Sequence, residues 1–384
     1  MPTSTTVHRP TTPPTVWLAR GRHTGTATAE DVVRGTLQRH KDSGALRDHL
    51  ELPESAHPGE RVFEARWEVA DGSVTVRARL ALADASDTGR QWTLTAEAEQ
   101  PWDMRWPSPA TMFWPSDPDA CWDHHAGTEL RFRDVNPLPA DDKELRRVLR
   151  AAARDPWSVH VVVHEAMTPD AVGRRPLAPL LPPGLRHRVV EHRATPQQLR
   201  AVNWALREFD AQVPRGGAVV LPGAPAPAGH DSAAFSVRSV FLDRGEPVEL
   251  IDALTRFVAT PRPLPDGAED ALTALREDWH LLTLEEELAR ERALVAMYAD
   301  ALEAMTKSRD LYREAAEHAH EALAAYRDSA AVLPAPSGPP SQETPAGSPL
   351  QQLTRTFERL KVNARSRRAG PADDQDAGTD GSGS

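Results

Sequence analysis

Two places in this chain gather side chains that could do chemistry. Cys121, Asp123, His124 and His125 fall within five residues, and His160 and His164 stand four apart with Glu165 directly after. Imidazole, thiolate and carboxylate are the donors of zinc-type sites, and an i, i+4 histidine pair on a helix can hold one ion. The run Val161-Val162-Val163 between the histidines argues for a strand instead. There, residues four apart share a face but lie roughly 13 Å apart, too far to chelate one ion. Cys121 and its neighbours have no second pair of ligands at zinc-site spacing. Gly229-His230-Asp231-Ser232 contains the residue types of a hydrolytic triad, but such triads assemble from distant segments. The chain has no G-x-S-x-G elbow, no Walker A sequence and no G-x-G-x-x-G, so no cofactor is expected. Whether a metal binds is left open by these patterns. The catalytic alternative they allow is a metal-dependent hydrolase using some of Cys121, His124, His125, His160 and His164.

The elements that would carry these residues follow from periodicity. Val16 to Ala19 reads as a strand, and Thr28-Ala29-Glu30-Asp31 as the start of a helix running to about His40. From Arg61 the period becomes two, with Phe63, Ala65, Trp67 and Val69 on one face. Asp71-Gly72 offers the positive φ of a tight hairpin, and Val74 to Leu82 repeats the alternation. A third strand carries Trp92, Leu94, Ala96 and Ala98. This meander is expected to keep its polar face in solvent. Regular patterning then gives way to Trp102, Trp106, Trp114 and Trp122 among prolines. Those rings read either as an aromatic platform for a ligand or as a lid on the meander's core. A helix at 141–154 and a strand at 157–164 follow. A β-α-β pattern is expected from Val189-Val190, the capping box Thr195-Pro196-Gln197-Gln198 and Ala218 to Leu221. Phe235 to Leu242 reads as another strand and Pro247 to Val258 as a helix.

The last third has a different character. Ala268 to Leu333 contains neither glycine nor proline, in a chain of 384 residues with 35 prolines and 22 glycines. This is a helical stretch, with a break near Trp279-His280 where Thr283-Leu284-Glu285-Glu286 can cap a second helix. With Leu281 as position a, a heptad row runs through Leu281, Leu284, Leu288, Val295, Tyr298, Leu302, Met305, Tyr312, Ala316, Ala319, Leu323 and Tyr326. Glu291 and Arg309 are the only charged members. Such a stripe either associates with a second copy or a partner helix, or folds back on its own chain; association is the leading reading. The two charges cost stability there unless they set register or meet across an antiparallel pair. Beyond a Pro/Ser/Gly linker, a short amphipathic helix presents Arg355, Arg359, Lys361, Arg365, Arg367 and Arg368. Contact with nucleic acid or an anionic membrane is confined to that helix.

The expected layout is α+β: a disordered leader at 1–15, a meander subdomain with its Trp/Pro-rich segment at 16–140, and a mixed α/β subdomain at 141–260. An acidic coiled-coil-like segment follows at 268–333, then the linker at 334–349, the basic helix at 350–368 and a disordered acidic tail at 369–384. The net charge of −11 sits largely in the coiled-coil-like segment, which disfavours general nucleic-acid binding. A single cysteine excludes an intramolecular disulfide and fits a reducing compartment. No window offers the ~18 uncharged apolar residues of a membrane span. The expectation is a cytoplasmic, non-catalytic adaptor or regulatory protein, oligomeric or partner-bound through residues 281–326.

Overall fold

The computed structural model describes residues 10–53, 59–83, 89–116, 121–165, 175–223, 230–238 and 247–331. The chain divides into two units, 1–292 and 293–384. The first holds β1 (Val16–His23), α1 (Ala29–Asp42), β2 (Asp48–Glu51), β3 (Glu60–Val69), β4 (Val74–Ala83), β5 (Arg90–Ala98), α2 (Ala110–Phe113), β6 (His124–His125) and β7 (Val135–Pro137). These are followed by α3 (Asp142–Arg154), β8 (Val159–His164), β9 (Val189–Ala194), α4 (Leu199–Leu206), β10 (Ala218–Val220), β11 (Ser236–Val237), α5 (Val248–Ala259) and α6 (Ala268–Glu277). The long α7 (Leu284–Ala331) begins in the first unit and forms the described part of the second. The fold is therefore α+β, an antiparallel-sheet body followed by a long helix.

The first sheet has the order β2-β3-β4-β5-β1-β6, all antiparallel, with the expected meander at its centre. The hairpin between β3 and β4 is wider than a two-residue turn: Val69 pairs with Val74, and Ala70, Asp71 and Gly72 all take positive φ. One face buries Trp17, Phe63, Trp67, Leu80, Trp92 and Leu94 beneath α1 and the loops around Trp114 and Trp122.

The opposite face overturns the expectation of a solvated polar side. Glu64, Arg66, Arg79 and Thr95 are buried there, while Val16 and Leu18 pack with Leu272, Leu275, Trp279 and Leu281. Burial of charge is compensated locally. The Glu64 carboxylate accepts Arg79 Nη1 at 3.2 Å and the backbone N–H groups of His280 at 2.8 Å and Leu281 at 2.9 Å. Arg66 Nη2 donates to Leu281 O at 2.6 Å and to the Glu286 carboxylate at 2.7 Å. The alternating polar residues of the meander thus bind the junction between α6 and α7. That junction is a capping box: Thr283 Oγ1 accepts the Glu286 N–H at 3.1 Å, and the Glu286 carboxylate accepts the Thr283 N–H at 2.7 Å.

The second sheet has the order β11-β10-β8-β9-β7, with β9 parallel to β8 and β7 but β10 antiparallel to β8. The β-α-β expectation is corrected here. The strand after α4 returns beside β8 rather than β9, and runs antiparallel to it. A short apolar run such as Ala218-Val219-Val220 is equally compatible with either direction. Val159, Val161 and Val163 face α5 through Leu250, Leu254 and Phe257, and Val162 faces α3 and α4 through Leu149 and Val202. His160 shares the Val162 face. Of the expected strand 235–242, β11 covers Ser236–Val237, and residues 239–246 lie outside the described residues.

Candidate functional site

Helix α7 runs for 48 residues, about 72 Å at 1.5 Å per residue. Every large apolar member of its heptad row is exposed: Leu284, Leu288, Val295, Tyr298, Leu302, Met305, Tyr312, Leu323 and Tyr326, the values for Leu284 and Tyr312 reaching 84% and 76%. Glu291 and Arg309 are exposed at their own positions in the row. Leu281 departs from this set. It precedes the helix and is buried against the first sheet with Trp279, so the row starts at Leu284.

The second feature is a buried histidine–carboxylate cluster drawn from separate elements. Asp155 caps the C-terminus of α3, where the negative end of the helix dipole opposes a carboxylate unless partners compensate. Its Oδ1 accepts the Trp157 N–H at 3.0 Å. Its Oδ2 meets His125 Nε2, from edge strand β6, at 2.6 Å, and His160 Nε2, from β8, at 3.4 Å. The three donor atoms of His125, Asp155 and His160 lie within 4.8 Å of one another. On β9, the His192 ring stacks on His160 at 5.2 Å, with Nε2 2.9 Å from His160 Nδ1.

The partners assign the protons. The Gly127 N–H donates to His125 Nδ1 at 3.2 Å, so His125 carries its proton on Nε2 and donates it to Asp155. His160 Nε2–H is aimed at the same oxygen, and His160 Nδ1 accepts from His192 Nε2–H. His192 Nδ1 is buried with no hydrogen-bond partner among the described residues. Burial alone would raise the Asp155 carboxyl, but the bonds from His125 and His160 outweigh it and hold the group below the usual carboxylate range. Burial holds His160 and His192 below the usual imidazole range and so keeps them neutral. Two cavities meet at the cluster, both bordered by Asp155, Ser158 and His160. One of about 280 Å³ is also lined by Arg20, Gln91 and Thr128, and one of about 110 Å³ by Phe257 and Arg262.

Of the side chains read as ligands from the sequence, the fold brings His125 and His160 together and separates the others. His164 Nδ1 accepts the Gly216 N–H at 2.8 Å. Asp123 is fully buried and neutralised by Arg133 and Arg131 at 2.5 and 3.3 Å, while Cys121 is exposed. Asp231 caps a short turn through the Ala233 N–H at 2.9 Å, and the His230 ring stacks on Phe235. Neither Asp155 nor His192 stands in a sequence pattern that marks a ligand. The only cue to Asp155 is an aspartate directly after a helix and before Pro156, a pattern shared by many loops.

The aromatic-platform expectation is corrected. Trp102, Trp114 and Trp122 are buried, and Trp106 is half-buried edge-to-face on Trp102. Trp114 stacks on Trp122 at 5.8 Å, and Trp92 donates to the Trp122 carbonyl at 2.9 Å, so these rings are core. Arg355, Arg359, Lys361, Arg365, Arg367 and Arg368 lie outside the described residues, as do the linker, the acidic tail and residues 1–9. Among the described residues, no helix is long and apolar enough to cross a membrane. A scan of protein-family models finds no match to this chain, and no curated protein is significantly similar to it.

Proposed function

We propose that this chain is a cytoplasmic adaptor that acts by self-association, two copies of α7 pairing antiparallel along the row from Leu284 to Ala316. The observation that carries this reading is the exposure of the row's large apolar residues from Leu284 to Tyr312. An a/d stripe of this length gains stability by removal from water, and a second copy supplies a matching stripe.

The orientation and register follow from the two charged members of the row. Antiparallel pairs match a positions with d positions. Setting Glu291 opposite Arg309 of the second copy places Leu284 against Ala316, Leu288 against Tyr312, Val295 against Met305 and Tyr298 against Leu302. Each contact then recurs by symmetry, and both charged positions are neutralised at once. A parallel in-register pair would instead set Glu291 on Glu291 and Arg309 on Arg309, like charges in a closing seam. The flanking charge agrees. Residues 284–300 carry five acidic and two basic side chains, whereas 301–316 carry three of each. Antiparallel pairing sets the acidic half against the balanced one.

Light scattering on the full chain tests this reading, with an expected mass twice the 42.1 kDa of one chain. A charge buried in the seam by L302E is expected to return it to a single mass. A monomer at micromolar concentration, or a dimer indifferent to L302E, would reject it.

A further inference from the structure

We infer that His125, Asp155 and His160 form a binding site for one divalent transition-metal ion of the zinc and cobalt type. This site is independent of the α7 pairing. Three features of the cluster point to a shared ion rather than a simple hydrogen-bonded chain. Both imidazoles direct Nε2 at the same carboxylate oxygen, so the three donors surround one point instead of forming a line. Each imidazole is also oriented from behind at Nδ1, His125 by Thr128 Oγ1 at 3.1 Å and His160 by His192 at 2.9 Å. Outer-shell partners of this kind fix ring orientation in metal sites. Finally, the donors border two cavities, which leaves room for water at the coordination positions that three protein ligands do not fill.

The donor set decides the class of ion. Two imidazoles and one carboxylate suit zinc, cobalt, iron or nickel, whereas calcium and magnesium favour oxygen ligands throughout. Loading requires a change of tautomer that the site can accommodate. An ion on the two Nε2 atoms moves the ring protons to Nδ1. His125 then donates to Thr128 Oγ1 in place of accepting the Gly127 N–H, and His160 donates to His192 Nε2. The cost falls on the Gly127 N–H and on His192 Nδ1, which gains a buried proton without an acceptor among the described residues. Coordination bonds to three converging donors outweigh the loss of those weaker contacts.

The test is titration of the chelator-stripped full chain with Co²⁺. The expected result is one saturating equivalent with visible ligand-field bands, displaced by one equivalent of Zn²⁺. D155N and H160Q are expected to weaken binding at least ~100-fold, and T128V roughly 10- to 100-fold, as loss of an outer-shell partner does. H318Q/H320Q, on the exposed part of α7, is expected to leave the affinity unchanged. Circular dichroism reports folding of each variant. Should D155N and H160Q fail to fold, T128V decides, because it alters no ligand. Saturation at other than one equivalent, or a folded D155N or T128V that binds as tightly as the unaltered chain, overturns the assignment.

Discussion

Glu64 offers the clearest measure of what joins the first sheet to the start of α7. The side chain is fully buried, and its carboxylate accepts from Arg79 and from the backbone N–H groups of His280 and Leu281. Glu64→Ala removes the carboxylate partner of the buried Arg79 guanidinium and the acceptor of the buried Leu281 and part-buried His280 amides. Removing one partner of a buried pair costs about 3–5 kcal/mol, and each orphaned amide adds about 1–3 kcal/mol before relaxation. Arg79 keeps carbonyl partners at Ala274 and Asp278, 3.3 and 3.0 Å away, which places the expected loss near the lower end of the combined range, about 5 kcal/mol. With a urea slope of about 3 kcal/mol per molar, the midpoint falls by about 1.7 M. Tryptophan fluorescence during urea denaturation reads this, since Trp279 lies beside the junction. Glu97→Ala is the matched control. It breaks the Arg276–Glu97 pair and the longer Arg77–Glu97 pair, whose arginines are 43% and 36% exposed, and is expected to cost about 1 kcal/mol. A Glu64→Ala shift no larger than that of the control would refute the argument that this carboxylate holds the junction.

Gly21→Ala is expected to cost about 3 kcal/mol, because an added Cβ would lie 2.2 Å from the Trp92 ring, itself packed on Trp114 and Trp122. Gly35→Ala, in the exposed interior of α1 with nothing within 4 Å, is expected to stabilise by about 0.5–1 kcal/mol; thermal melts of the two distinguish packing from propensity. Acid should destabilise the body. Burial pushes His187 down to about 3 from its ordinary 6.5, so the unfolded chain binds its proton first, and the stability present above pH 6.5 is lost as pH falls toward 3. His160 and His192 act with the same sign. His187→Asn, chosen because residue 187 has φ of 63°, is expected to flatten the slope of stability against pH by up to about 1.4 kcal/mol per unit, read from urea midpoints at pH 7 and 5.

What was legible in the sequence was whatever repeats locally. The period of two in β3 to β5, the Thr28 and Thr283 caps and the break before α7 each state their structure within a few residues. The burial of the meander's polar face is not legible in its sequence, because alternation shows which residues share a face, not what covers it. Glu64 and Arg79 are buried by partners some 200 residues away in sequence. Strands β2, β6 and β7 are too short to carry a period, and β6 supplies His125. The cluster at Asp155 is hidden in the sequence for a related reason. Its members come from a sheet edge, a helix end and the middle of a second sheet, so no spacing links them. The α7 row was legible because helical pairing is itself periodic, and the register proposed for it rests on just two residues that break the pattern.

Those two residues also provide the most direct test of antiparallel pairing. Sedimentation equilibrium on Glu291→Arg, Arg309→Glu and the double exchange measures whether position 291 faces position 309 of a second copy. The proposed pairing predicts that each single variant dissociates at least tenfold more readily, since it sets two like charges face to face, and that the double exchange restores the original affinity. Single variants that dimerise normally, or a double exchange that adds their defects together, would contradict it.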